Sequence, residues 1–117
     1  GWRGSAADIV GAVVHRFAVE YGVPPQNLRA ILGPAISGPQ YEVSREVIDG
    51  LRIFGLDEGR WRQENHVDLR SFLAARLEDL ELDASMIDVA GPCTALNHAL
   101  ASYRRDWVEA GRHLSMI

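Results

Sequence analysis

The chain opens with two glycines bracketing a Trp-Arg pair, Gly1-Trp2-Arg3-Gly4, and a helix start follows at once. Ser5 and Asp8 have the spacing of a capping box, ahead of the apolar run Ile9, Val10, Val13, Val14 and Phe17. The pattern predicts a glycine loop feeding an amphipathic helix from about Ala6 to Tyr21. Its expected buried face is Ile9, Val13, Phe17 and Tyr21, with Val10 and Val14 beside it. In a βα unit such a loop follows a strand. That strand is missing here, so the sheet is expected to show an open edge or to be completed by another chain. The unpaired N–H groups at a helix start carry partial positive charge, and an arginine fork beside them suits phosphate. Two readings stand side by side: an anion pocket of Arg3 and the helix start at Ser5, or a capped turn with a solvated arginine.

Gly22 ends the first predicted helix, and Pro24-Pro25 prevents re-entry. A short strand is expected over Leu28–Leu32, closed by Gly33-Pro34, and a second over Met86–Val89, closed by Gly91-Pro92. Ser44 is expected to cap a helix burying Val47, Ile48 and Leu51, and Asp68 to cap another from Leu69 to about Leu80. Gly55 to Asn65, which contains Trp61, reads as an irregular surface excursion, and the acids Glu78, Asp79, Glu81 and Asp83 as solvated. A short helix over Ala95–Leu100, an extended piece over Ser102–Arg104 and a last strand over His113–Ile117 complete the expectation. The fold class is α/β, a mixed β-sheet flanked by helices.

A length of 117 residues bounds this to one domain or part of one. The net charge of −4 argues against nucleic acid or an anionic membrane as partner, and no apolar run reaches the ~20 residues of a membrane helix. A single cysteine, Cys93, fits a reducing compartment, so the expected location is cytoplasmic. His15, His66, Cys93, His98 and His113 lack metal-ligand spacing. Ser102, His98 and Asp106 can be drawn as a catalytic triad, but no glycine elbow sharpens the turn at Ser102. If Ser102–Arg104 is extended, Arg104 and Arg105 point to opposite faces. One could then enter a pocket while the other pairs with a carboxylate; a surface ion-pair network is the alternative.

Several stretches together resemble one family: Gly1-Trp2-Arg3-Gly4, Leu32-Gly33-Pro34-Ala35-Ile36, Tyr41-Glu42-Val43, Asp68-Leu69, Cys93-Thr94, Ser102-Tyr103-Arg104-Arg105-Asp106 and Gly111-Arg112. In this order they resemble the multicopper polyphenol oxidase (laccase-domain) group, also described as purine nucleoside phosphorylases and as a peptidoglycan editing factor. The resemblance covers the family's C-terminal half, so residues 1–117 are expected to be the C-terminal portion of a larger laccase-domain-like domain. It implies zinc-dependent phosphorolysis of adenosine, inosine, guanosine or methylthioadenosine, together with adenosine deamination.

The implied metal, zinc or in older descriptions copper, sits on two histidines and a cysteine that fall outside this chain. Cys93 matches the Cys-Thr element and not the metal-binding cysteine. For this chain the resemblance implies phosphate or substrate binding by Arg3, Ser5, Arg104 and Arg105, with Trp2 and Cys93 lining the pocket. Ser37-Gly38-Pro39-Gln40 departs from the family pattern and bears on substrate identity. The alternatives are a non-catalytic half-domain or interaction module, completed by self-association or a complementing N-terminal half, and a copper-dependent polyphenol oxidase.

Overall fold

The computed structural model describes residues 1–114 and 116. Helices α1 (Trp2–Ala6) and α2 (Ile9–Tyr21) lead into strand β1 (Ala30–Leu32) and helix α3 (Arg45–Arg52). A short hairpin, β2 (Arg62–Gln63) and β3 (His66–Val67), then precedes helix α4 (Leu69–Asp79). Strand β4 (Ile87–Val89) and the short helix α5 (Tyr103–Asp106) follow. The α/β class is as expected, but the strands form two small sheets. β1 and β4 pair in parallel, Ala30 opposite Ile87, while β2 and β3 pair antiparallel. Of the last expected strand, residues 113, 114 and 116 carry no strand, and Ser115 and Ile117 lie outside the described residues.

The main core gathers Val47, Ile48 and Leu51 of α3, Trp61, Val67 of β3, and Leu69 and Phe72 of α4. Trp61 and Phe54 both meet Phe72 edge-on, at ring separations of 5.5 and 5.6 Å, the arrangement that aromatic quadrupoles favour. Trp61 is 1% exposed, so the stretch read as a surface excursion instead supplies a central core side chain. A second cluster joins Val14 of α2 to Leu77 and Leu82, with Leu28, Ala30, Leu32 and Ile87 packed around it. Helix α4 serves both clusters, Phe72 in one and Leu77 in the other. Burying each such side chain is worth roughly 1.5–3 kcal/mol.

Helices α3 and α4 start where their signals lie, although Ser44, at the N-terminal boundary of α3, makes no side-chain capping hydrogen bond. Asp68 accepts from the amides of Arg70 and Ser71 at 3.0 and 3.1 Å, and Val47, Ile48 and Leu51 turn inward. The beginning of the chain differs. Gly1 and Gly4 belong to no loop; Trp2–Ala6 is a helical turn, and Ser5 sits inside it with its hydroxyl donating to the carbonyl of Gly1 at 3.3 Å. Ser5 therefore is not an N-cap.

Asp8 takes that role for α2 from a left-handed conformation (φ 54°), accepting from the amide of Gly11. This is a conformation that aspartate adopts more readily than most residues. A two-residue break, Ala7-Asp8, separates α1 from α2. Gly11 and Val14 face inward, and Ile9, Val13, Phe17 and Tyr21, expected buried, are 40–67% exposed.

Of the acids around the end of α4, Asp79, Glu81 and Asp83 are exposed as expected, Asp79 while pairing with Arg76, and Glu78 is half-buried in a bidentate pair with Arg60. Ser102–Arg104 is not extended either; Tyr103–Asp106 is helical, and Ala95–Leu100 forms turns in place of a helix. The turns at the ends of β1 and β4 meet at Gly91. Its φ of 89° and the 2.6 Å that would separate an added Cβ from the Pro34 ring require glycine there. That contact sets up the bridge between Ala35 and Cys93, which brings Cys93 beside Ser37.

Candidate functional site

Of the 12 arginines, Arg16, Arg29, Arg45, Arg52, Arg60, Arg62, Arg76 and Arg105 are matched to carboxylates among the described residues. Arg3, Arg70, Arg104 and Arg112 are not. Arg70 donates to the carbonyl of Gly91, and Arg112 to those of its neighbours Ala110 and Gly111. Arg3 and Arg104 each stack on an aromatic residue, Trp2 and Tyr41, that packs against the main core.

The Arg104 guanidinium lies over the Tyr41 ring at 5.0 Å and donates through Nη1 to the carbonyl of Glu42 at 2.9 Å. Arg3 stacks over Trp2 at 5.0 Å, a contact that orients the guanidinium without using its N–H donors. Trp2 and Tyr41 are both half-buried against the main core. Burial pushes the Tyr41 phenol above its usual range, against the opposing pull of Arg104 and Arg3, which both act on it. The phenol is accordingly neutral, and a hydrogen-bond donor, at physiological pH.

Arg105 is placed quite differently. A guanidinium has five N–H donors, and here all five are taken. Nε meets Asp106 at 2.6 Å; Nη1 meets the carbonyls of Thr94 and Asn97 at 2.9 and 3.1 Å. Nη2 meets the carbonyl of Leu100 at 2.8 Å and the second oxygen of Asp106 at 2.6 Å. The Arg105 guanidinium holds the Asp106 carboxyl below its usual range. The side chain acts as a staple for the loop that carries Cys93 and Thr94.

Cys93 accepts from the amide and hydroxyl of Ser37 at 3.3 and 3.1 Å. Burial raises its pKa, but these bonds and the amides of Leu96 and Ala95 outweigh that and bring the thiol down to about 7. Ser5 is buried, and its hydroxyl is occupied within α1. Ser102 is buried too; it is its amide that meets Asp106, at 3.4 Å, which is not a nucleophile's arrangement. A cleft of about 490 Å³ between the Gly38-Pro39 turn and the β2–β3 hairpin is lined by none of Trp2, Arg3, Ser5, Cys93, Arg104 and Arg105, but Gly38 and Pro39 of the stretch that departs from the family pattern border it, with His66 and Asp68. Among the described residues no group of three or more His, Cys, Asp or Glu side chains converges as a metal site would require.

Sequence reasoning passed over Tyr41 as a site residue, although Tyr41-Glu42-Val43 stood among the stretches of resemblance. Nothing local to Arg104 or Arg105 could reveal which of the two has its donors consumed.

The helices packed on short parallel and antiparallel pairs define an α/β domain portion with an exposed cationic corner. The chain belongs to the family described as multi-copper polyphenol oxidoreductase laccase, whose profile matches residues 1–117. It is 30% identical over 123 residues to the Bacillus subtilis protein named purine nucleoside phosphorylase YlmD, a match covering 100% of this chain and 44% of that one. It is 29% identical over 124 residues to adenosine deaminase RL5 from an unknown prokaryotic organism, covering 100% of this chain and 47% of that one. Among solved structures it is similar to the Bacillus licheniformis hypothetical protein YfiH, with a TM-score of 0.86 and 28% identity, covering 95% of this chain and 44% of that one. The chain thus spans about half the length of the curated relatives it matches.

Proposed function

We propose that this chain is the C-terminal portion of a laccase-domain-like purine nucleoside enzyme of the cytoplasm, and that it supplies the grip on phosphate. The activity is phosphorolysis of purine nucleosides such as adenosine, inosine, guanosine or methylthioadenosine, with adenosine deamination beside it. The observation that carries the reading is the pair Arg3 and Arg104, two arginines without a carboxylate partner among the described residues, each stacked on an aromatic residue that packs against the main core. Phosphorolysis needs cationic donors that hold phosphate against the ribose carbon and stabilise the charge leaving it. Arg3 has no hydrogen-bond partner among the described residues, and Arg104 spends one donor on Glu42. Arg105, with every donor engaged, serves by fixing the Cys93–Leu100 loop. Ser5 supports the turn that presents Arg3, which stacks on Trp2; Trp2 and Cys93 are assigned to the pocket lining. The resemblance assigns the family's metal, zinc or copper, to two histidines and a cysteine outside this chain.

The test is release of hypoxanthine from inosine, measured in a longer polypeptide that contains these residues and the remainder of the family domain. Release that depends on inorganic phosphate and falls at least tenfold in R3A and R104A supports the reading. Release that persists unchanged in both variants overturns it.

A second reading, a non-catalytic half-domain completed by another chain, has its own support. The apolar stripe Ile9, Val13, Phe17 and Tyr21 is exposed on α2, and β1 and β4 form a parallel pair with no further strand beside either among the described residues. Parallel sheets are ordinarily covered on both faces. Sedimentation of the 117-residue chain separates the readings' demands, since a compact monomer with cooperative unfolding counts against any need for a partner.

A further inference from the structure

The segment from Ser37 to Glu42 is gripped at its two ends by different parts of the chain. At the first end Cys93 accepts from the amide and hydroxyl of Ser37 at 3.3 and 3.1 Å, and the amide of Thr94 donates to the carbonyl of Ala35 at 3.0 Å. At the other end Arg104 covers the Tyr41 ring at 5.0 Å and donates to the carbonyl of Glu42 at 2.9 Å. Between the ends lies one tight turn, Gly38–Gln40, in which the amides of Gln40 and Tyr41 donate to the carbonyls of Ser37 and Gly38. The two grips belong to separate stretches, the turns that follow Cys93 and helix α5, and one side chain joins them. Arg105 sits on α5 next to Arg104, and its Nη1 and Nη2 reach the carbonyls of Thr94, Asn97 and Leu100 at 2.9, 3.1 and 2.8 Å. Asp106, also on α5, accepts from Nε and Nη2 with its two oxygens and so holds the fork in the orientation those carbonyls need. The circuit is closed: Ser37 to Cys93, Thr94 to Arg105, Arg104 to Glu42, and back along the turn.

We propose that Arg105 is a positioning residue: it makes the loop of Cys93 and the helix of Arg104 a single unit, and so fixes the Arg104 guanidinium against Tyr41 and Glu42. Its bearing on phosphate rests on the reading of Arg104 above; the coupling of the two grips does not. The geometry calls for arginine and not for a cation of any shape. Three carbonyls and a carboxylate are met at once by a planar fork of five donors, whereas a lysine ammonium offers three donors from one point. Among the described residues Arg105 makes no hydrogen bond to Cys93, Ser37 or Glu42, so its influence on either grip passes through the loop and the helix it joins.

Cys93 is the built-in reporter. Its partners, Ser37 and the amides of Ala95 and Leu96, are all neutral, so the pH midpoint of its alkylation by iodoacetamide follows their alignment. The experiment measures that midpoint in the 117-residue chain for wild type, R105K, R104A and the double variant, each checked for folding by circular dichroism. R105K keeps the charge and loses the fork. Its midpoint is expected to rise by about one unit, a tenfold smaller thiolate fraction at neutral pH. R104A, which acts at the far end of the segment, should raise the midpoint by a smaller amount, and by less again once R105K is present. An unmoved midpoint in R105K overturns the proposal. So does an effect of R104A that is undiminished in the double variant, since the two ends would then communicate along the Gly38–Gln40 turn alone. If R105K does not fold, D106N is measured in its stead. Removing that carboxylate's charge by itself lowers the midpoint, whereas releasing the fork raises it; a rise supports the proposal, and a fall or no change overturns it.

Discussion

Replacing Arg76 with methionine is the sharpest test of how the first helices are held. Arg76 on α4 reaches the N-cap of α2 with a bidentate pair, Nε to Asp8 at 3.0 Å and Nη2 to Asp8 at 2.8 Å. Its guanidinium also covers Phe54 at 5.1 Å and pairs with Asp79. The side chain of Arg76 is 17% exposed and that of Asp8 32%, so the pair is neither solvated nor deeply buried. Methionine keeps the stem's packing and removes the fork. Two charge-assisted bonds at about 1.5–3 kcal/mol each, reduced by partial exposure, give a loss of about 2–4 kcal/mol. For a domain of this size that lowers the melting temperature by on the order of 10–20 °C.

The loss has a pH signature. Arg76 holds the Asp8 carboxyl below its usual range, so its stabilisation is present above the unfolded value of about 3.9 and disappears as pH falls through the folded one. Urea unfolding followed by circular dichroism should show the full gap between wild type and R76M at neutral pH, closing as pH falls through the lowered folded-state value of Asp8. A gap under about 0.5 kcal/mol at pH 7, the size of an ordinary surface change, or a gap independent of pH, refutes the reasoning.

Gly91→Ala forces a Cβ to 2.6 Å from the Pro34 ring at a positive φ and should cost about 2 kcal/mol or more, whereas Gly22→Ala, at φ 65° with open space around it, should cost about 1 kcal/mol. Equal losses in urea melts would show that the two turns do not meet as described. Alkylation of Cys93 by iodoacetamide should rise with pH through a midpoint of about 7, and Ser37→Ala should move that midpoint upward. An unmoved midpoint would remove Ser37 as the thiolate's support.

What the sequence made legible is what local chemistry decides. Ser44 and Asp68 precede helices whose inward residues follow from spacing, because α3 and α4 find their partners within a short stretch of chain. The strands around Ile31 and Asp88 were legible from β-branched residues bounded by Gly-Pro. The first helices were misread for a physical reason: glycines at positions 1 and 4 signal a loop only when helical hydrogen bonds are unavailable, and here Ser5 and Ala7 bond back to Gly1 and Arg3. Periodicity located the apolar stripe of α2 correctly but carries no information on what covers it, and α4 and its neighbours pack against the adjacent face. Trp61 was hidden because irregular backbone leaves no period to read. At the site, the fate of Arg105 depends on carbonyls five to eleven residues away, in a loop whose shape the side chain itself imposes.

The parallel pairing of β1 with β4 also sets an order of assembly. α3, the hairpin and α4 are consecutive in the chain and close only short loops as Trp61 and Phe72 come together. Joining Ala30 to Ile87 must instead close a loop spanning half the polypeptide, whose entropic cost comes before any contact compensates it. The aromatic nucleus is therefore the early event, and the strand pair is the late one. Since Cys93 meets Ser37 only after that closure, the reactivity of its thiol reports when the last part of the molecule has folded.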